Sequence, residues 1–257
     1  MDLQLAGKKA IVLGGTRGIG RAIAELFAAE GCDVAVCARS QSGVDDAVAS
    51  LAGKGVRAFG AAVDIGDGAQ LRAWVAQAAE QLGGVDVLIS NASALTTGNT
   101  EDEWRRLFEI DLMGAVRSFE TALPHLKAAA AAGGDAAFVL ISSVSAAEAN
   151  SGLSAYGAIK ASLIHVAKGL ARQHAAEGVR VNVVSPGTVF FEGGVWGNVA
   201  ERAPEFFNSV LKRNPTGRMA TPEEIAAATV FLASPASRFT TGANLIVDGA
   251  ITSRVNF

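Results

Sequence analysis

Two cysteines, three histidines and a single tyrosine in 257 residues leave little material for several common chemistries. Cys32 and Cys37 lie close together, at what reads as the start and the interior of one strand. They fit small core residues of a reducing compartment better than a disulfide or a metal site. His125, His165 and His174 are not spaced as metal ligands, so no metal centre is expected. Charged residues make up only 18% of the chain, the net charge is −3, and no run is basic. Nucleic acid and anionic membranes therefore have no electrostatic footprint to bind. No apolar run is long enough to span a bilayer. The N-terminus, MDLQLAGKKAIVL, lacks a signal-peptide pattern, and a cytoplasmic protein is expected. What the chain does have is hydrophobic residues, at 50%, and 29 glycines, enough for a large core with many turns.

Short β-type runs alternate with helical patterns throughout. Candidate strands are Lys9–Leu13, Asp33–Ala38, Val56–Val63, Val85–Ser90, Ala136–Ser142, Val179–Val184 and Asn244–Val247. Helical stretches lie near 18–30, 43–52, 67–82, 101–131, 154–177 and 222–233. The strands are mostly continuous apolar runs, as a sheet covered on both faces requires. Such alternation implies an α/β fold with a doubly wound parallel sheet. With no repeat, linker or composition break, residues 1–257 are expected to form one domain.

Gly14, Gly18 and Gly20 follow the first strand and open the first helix, spaced GxxxGxG. Glycines there allow a tight turn and a close approach of a pyrophosphate to the helix N-terminus. After the second strand the chain reads Ala38-Arg39-Ser40, with no carboxylate to grip an adenosine ribose. Arg39 and Arg17 together favour NADP(H) over NAD(H). Asp64 ends the third strand, where it either meets an adenine amine or caps the next helix. Asn91-Ala92-Ser93 ends the fourth, at the edge where doubly wound sheets bind ligands. Asp111, within a helical pattern before Gly114, points to nothing specific by itself.

Ser143 closes the fifth strand and Tyr156 opens the following helix, with Lys160 four residues further on. Residues at i and i+4 share a helix face, so the phenol and the ammonium point into one space. A cation beside a phenol favours the phenolate, which makes a proton donor or acceptor usable near neutral pH. An isolated YxxxK is more often an ordinary surface pair, so its weight comes from the surrounding pattern. The sixth strand ends in Pro186-Gly187-Thr188, whose threonine offers a hydroxyl and an amide to a carboxamide.

Taken in order, GxxxGxG, Asp64, Asn91-Ala92, Ser143, Tyr156-x-x-x-Lys160 and Pro186-Gly187 resemble the short-chain dehydrogenase/reductase family across nearly the whole chain. The resemblance implies a Rossmann-type fold with a seven-stranded sheet, and hydride transfer between nicotinamide and a ketone or secondary alcohol. Tyr156 is then the acid of reduction and the base of oxidation. Lys160 tunes it and bonds the nicotinamide ribose, and Ser143 polarises the carbonyl. The cofactor residues it implies are Gly14, Thr16, Arg17, Gly18, Ile19, Gly20, Arg39, Asp64, Ile65, Asn91, Ala92, Tyr156, Lys160, Pro186, Gly187 and Thr188. Homotetramers or homodimers follow as an expectation. Four positions depart from the family pattern. Leu13 replaces a threonine that braces the loop, Ser93 a glycine, Asp111 a common asparagine, and Ala250 a common glycine; an ionised Asp111 would raise the Lys160 pKa or disturb the proton relay, so it stands outside the catalytic set.

Residues 189–219 break the regular pattern and carry Phe190, Phe191, Trp196, Phe206 and Phe207. In the family this region is a lid, which points to an apolar or aromatic-bearing substrate. Packing of the same aromatics into a helical hairpin or a subunit interface accounts for them as well. A 3-oxoacyl-carrier-protein reductase and a non-catalytic NADP-sensing protein are the competing functions. Enoyl reduction is disfavoured, since those family members usually space tyrosine and lysine more widely.

Overall fold

The computed structural model describes residues 2–96, 98–149 and 152–255. Seven strands form one parallel sheet: β1 Lys9–Leu13, β2 Asp33–Ala38, β3 Ala58–Ala62, β4 Val87–Ser90, β5 Ala136–Ile141, β6 Val179–Pro186 and β7 Asn244–Val247. Their order across the sheet is β3-β2-β1-β4-β5-β6-β7. The direction of winding reverses between β1 and β4, and a crevice opens there at the carboxyl ends of the strands. The expected Rossmann-type α/β architecture is the one observed.

Successive side chains of a strand point to opposite faces, so each strand feeds two cores. Ile11 and Leu13 join Leu88, Phe138 and Leu140 beneath α3 (Gly68–Leu82), α5 (Gly114–Ala131) and α6 (Ala155–His174). Ala10 and Val12 join Val34, Ile89 and Val139 beneath α1 (Gly18–Ala29), α2 (Gln41–Ala52) and α9 (Pro222–Ala233). Full burial of each such large side chain contributes about 1.5–3 kcal/mol. Cys32 and Cys37 belong to these cores as expected; burial pushes both thiols up to about 12.

Three structural details correct the sequence expectations. Val56, Arg57 and Val63 lie outside β3, and Arg57 bonds Asp33 through its backbone N–H and its guanidinium instead. The stretch 101–131 is not one helix. It comprises α4 (Glu101–Leu107), a π-helical turn (Phe108–Met113) and α5. Residues 189–219 hold two further helices, α7 (Val195–Arg202) and α8 (Pro204–Arg213), with Pro204 opening the second. In addition, Ala250 takes φ +62°, so the replacement of glycine there carries a local backbone cost. Among the described residues no helix is long and apolar enough to cross a membrane.

Candidate active site

Helix capping already distinguishes one helix from its neighbours. Side-chain oxygens of Ser40, Asp67 and Ser154 accept N–H bonds at the starts of α2, α3 and α6. At α1 the capping position is Arg17, which offers no acceptor, and no acidic residue lies in the first turn. The amides that open α1 thus keep their capacity for an outside anion. Gly14, at φ +73°, turns the chain there. A Cβ on Gly20 would stand 2.1 Å from the Gly14 carbonyl oxygen, so only glycine lets the loop fold back on its helix. The hydroxyl absent at Leu13 is replaced from another strand: Asn91 Nδ2 donates to the Gly14 carbonyl at 3.0 Å.

A cleft of about 750 Å³ runs from this loop across the carboxyl edge of the sheet. Gly14, Thr16, Arg17, Ile19, Arg39, Asp64, Ile65, Asn91, Ala92, Ser143, Tyr156, Lys160, Pro186, Gly187 and Thr188 all line it. Gly18 and Gly20 do not. Gly20 lies beneath Gly14, and Gly18 sits against the ring of Phe191, which a Cβ on Gly18 would meet at 2.4 Å. Arg17 and Arg39 are exposed at one end of the cleft, and Arg17 Nη1 reaches the Gly193 carbonyl at 3.4 Å. Asp64 does not cap α3, because Asp67 does; Asp64 instead accepts from Gly66 N–H at 3.0 Å.

At the other end lies the run Ser143–Lys160, less Asn150 and Ser151, which are outside the described residues. Lys160 Nζ is buried over the Tyr156 ring, 5.6 Å from its centroid, and donates to the Ile141 carbonyl at 3.0 Å. The same ammonium stands 3.1 Å from Asp111 Oδ1. Burial alone pushes this ammonium's pKa down. The Asp111 carboxylate, and then Tyr156, outweigh burial, so the net shift is upward. Asp111 itself is buried in the π-helical turn, and its Oδ2 accepts from Ala94 N–H at 2.8 Å. The upward shift is the one expected of an ionised Asp111, while its bond to Ala94 was not expected. Ser143 Oγ accepts from Ser145 N–H at 3.1 Å, which leaves its O–H free to donate. Ser142, expected to end β5, lies just past it and ties α6 back through a bond from its hydroxyl to the Lys160 carbonyl at 2.8 Å.

The substrate-side wall includes Ser93, Leu95, Thr96, Val144, Ser145, Val195, Trp196 and Asn198. Of the five aromatics in 189–219, only Phe191 and Trp196 reach the cleft. Phe190 packs edge-on against Phe207, while Trp196 stacks on Phe206, so packing within the α7–α8 segment accounts for the other three. Ser93 Oγ accepts from Leu95 N–H at 3.2 Å, bracing a residue at φ +50°.

A family model described as Enoyl-(Acyl carrier protein) reductase matches residues 14–252. The chain belongs to the short-chain dehydrogenase/reductase family. Isoepoxydon dehydrogenase of Penicillium expansum is 36% identical over 251 residues, 96% of this chain and 95% of that protein. Cis-4-hydroxycyclohexanecarboxylate dehydrogenase of Sinomonas cyclohexanicum is 36% identical over 258 residues, 98% of this chain and all of the relative. L-sorbose reductase of Gluconobacter frateurii, solved with NADPH and L-sorbose, superposes with a TM-score of 0.91 at 29% identity. That superposition covers 99% of this chain and 100% of the reductase. An oxidoreductase acting between alcohol and carbonyl groups of small molecules is therefore established at the level of the family.

The residues present fit a dinucleotide. The opening amides of α1 have no side-chain cap, Gly14 and Gly20 allow close approach, and Thr188 Oγ1 is buried at the cleft without a partner. Gly187 can pass β7 only without a side chain, since a Cβ would meet Asp248 at 2.8 Å.

Proposed function

We propose that this family member is an NADP(H)-dependent oxidoreductase that interconverts a ketone and a secondary alcohol on Ser143, Tyr156 and Lys160. The observation that carries the reading is the cleft itself. It has a hydroxyl, a phenol and a buried ammonium at one end and two exposed arginines with no competing carboxylate at the carboxyl end of β2 at the other. Arg17 and Arg39 would take the adenosine phosphate, Asp64 and Ile65 the adenine, and Thr188 the carboxamide. When bound, the nicotinamide supplies or accepts the hydride.

The protein's own part is positioning and proton transfer. The free O–H of Ser143 donates to the substrate oxygen and stabilises its developing charge. Tyr156 gives its proton to that oxygen in reduction and takes it back in oxidation. Lys160 donates to the Ile141 carbonyl, stands 3.1 Å from Asp111 Oδ1, and lines the cleft beside the phenol. Leu95, Val195 and Trp196 give the substrate side of the cleft an apolar wall. An apolar or aromatic ring carried by the substrate would lie against Trp196. One domain for the whole chain, a homotetramer and a cytoplasmic location belong to the same reading.

Oxidation of NADPH and NADH against a panel of ketones tests it. NADPH-linked turnover that collapses in Tyr156→Phe is expected. Tight NADPH binding without turnover on any ketone would leave a nucleotide-sensing protein, and a preference for NADH would overturn the roles of Arg17 and Arg39.

A further inference from the structure

Among the described residues Asp111 is the one acidic side chain brought against Lys160, and both are almost wholly buried, with side-chain exposures of 0% and 3%. From the elements packed on the ammonium, namely α6, the π-helical turn and the end of β5, Asp111 and Tyr156 are the titratable side chains that face it among the described residues. Glu109, on the same turn, is engaged elsewhere with Arg117 at 2.7 Å. One carboxylate therefore makes two connections: Oδ1 meets the ammonium, and Oδ2 holds the Ala94 N–H in the segment that forms the substrate-side wall.

We propose that Asp111 is a positioning residue that fixes Lys160 and, by offsetting the field of its ammonium, keeps Tyr156 in the protonated form that can donate to a carbonyl. An ammonium alone beside a phenol draws off the phenol's proton. A carboxylate in the same dry pocket, where charges are weakly screened, opposes that pull. The pair thus biases the site towards carbonyl reduction at neutral pH, whereas oxidation needs the phenolate. The inference rests on the proposed role of Tyr156. It also concerns a residue outside the Ser143, Tyr156 and Lys160 set.

Tyr156 is the sole tyrosine, so near-ultraviolet titration of the cofactor-free protein follows the ionisation of this one phenol. Asparagine is the residue the family often carries at this position, and Asp111→Asn retains an oxygen acceptor for the ammonium. In Asp111→Asn the phenol is expected to ionise about one pH unit lower than in the parent protein. The alkaline limb of ketone reduction should move down by the same amount. If Asp111→Asn does not fold, Asp111→Ser makes the same charge change and carries the same expectation. An unmoved or raised titration midpoint overturns the role of Asp111 whatever the activity. Absence of all turnover in the parent protein overturns the functional reading instead, and the titration still reports on Asp111.

Discussion

Two cations are buried along strands β5 and β6, one at each end of the sheet, and they are held in opposite ways. Arg180, at the amino end of β6, grips Asp135 through two bonds of 2.8 and 2.6 Å. Its remaining N–H groups go to the carbonyls of Leu232, Ala233, Ser234 and Thr240 and to the Ser237 hydroxyl. Every donor of the guanidinium is used, and the arginine welds the end of α9 to the sheet. Lys160, at the carboxyl end, has one carbonyl and one carboxylate for partners and lines the cleft. A buried charge whose hydrogen bonds are saturated serves stability; one left partly unsatisfied, beside a phenol in a cleft, is available for chemistry.

Removing each cation should separate the two roles. Lys160→Met is expected to have the largest effect because it strikes both. Asp111 is left buried and unpaired, at a cost of about 3–5 kcal/mol, and turnover falls by at least about 10²-fold. Thermal unfolding and initial rates measured on one preparation check this. Arg180→Met should cost a similar 3–5 kcal/mol, or a fall in Tm on the order of 10 °C, with kcat per folded molecule unchanged. A drop in kcat there would erase the distinction between the two ends. Tyr156→Phe should be the mirror image, with turnover reduced about 10²- to 10⁴-fold and the Tm held.

Smaller effects probe the far end of the cleft and the far end of α9. Arg39→Ala should raise the KM for NADPH about tenfold, near 1.4 kcal/mol, and leave that for NADH alone. Equal changes for the two cofactors would remove Arg39 from phosphate recognition. At the start of α9, opposite the Arg180 weld, Glu224 accepts from Arg218 and from the Thr221 N–H, and these bonds hold its carboxyl at about 2 instead of 4.5. Because the folded value is the lower one, its stabilisation is present above about pH 4.5 and is lost as pH falls towards 2. Acid-unfolding curves of the parent protein and Glu224→Gln should differ slightly at neutral pH and converge at the acid end.

Much of this was legible in the sequence for a simple reason: local pattern and tertiary environment agree. β1, β2 and β7 have the expected limits, because continuous apolar runs bounded by turn residues leave few other options. The glycine loop, Ser143, Tyr156 and Lys160 could be placed because each sits at a strand end or in the first turns of a helix, where sequence spacing maps directly onto position. The features that escaped depend on side chains meeting from distant segments. Asp111 is marked in the sequence only as a departure from asparagine, and it is the π-helical turn that carries it to Lys160, forty-nine residues later. Asn91 takes over the bracing expected of a threonine at Leu13 from a neighbouring strand. The aromatics of 189–219 could not be divided between cleft and packing, since short helices such as α7 and α8 carry too few turns to reveal a face. Asp64 and Asp67 compete as caps within a few residues, and backbone geometry decides between them.

The π-helical turn at Phe108–Met113 makes the length of the chain there as important as its composition. Such a turn accommodates one residue more than an α-helix would across the same arc. Deleting a single residue from it would restore regular α-helical winding and leave α4 and α5 in their present phase, so the loss would fall inside the turn itself. Asp111, which sits within the turn, would lose the placement that sets it against Lys160. Substitutions along 108–113 are graded in their effects, but a one-residue deletion is all or nothing. Length variation in descendants of this chain should accordingly fall in the surface loops and spare this turn.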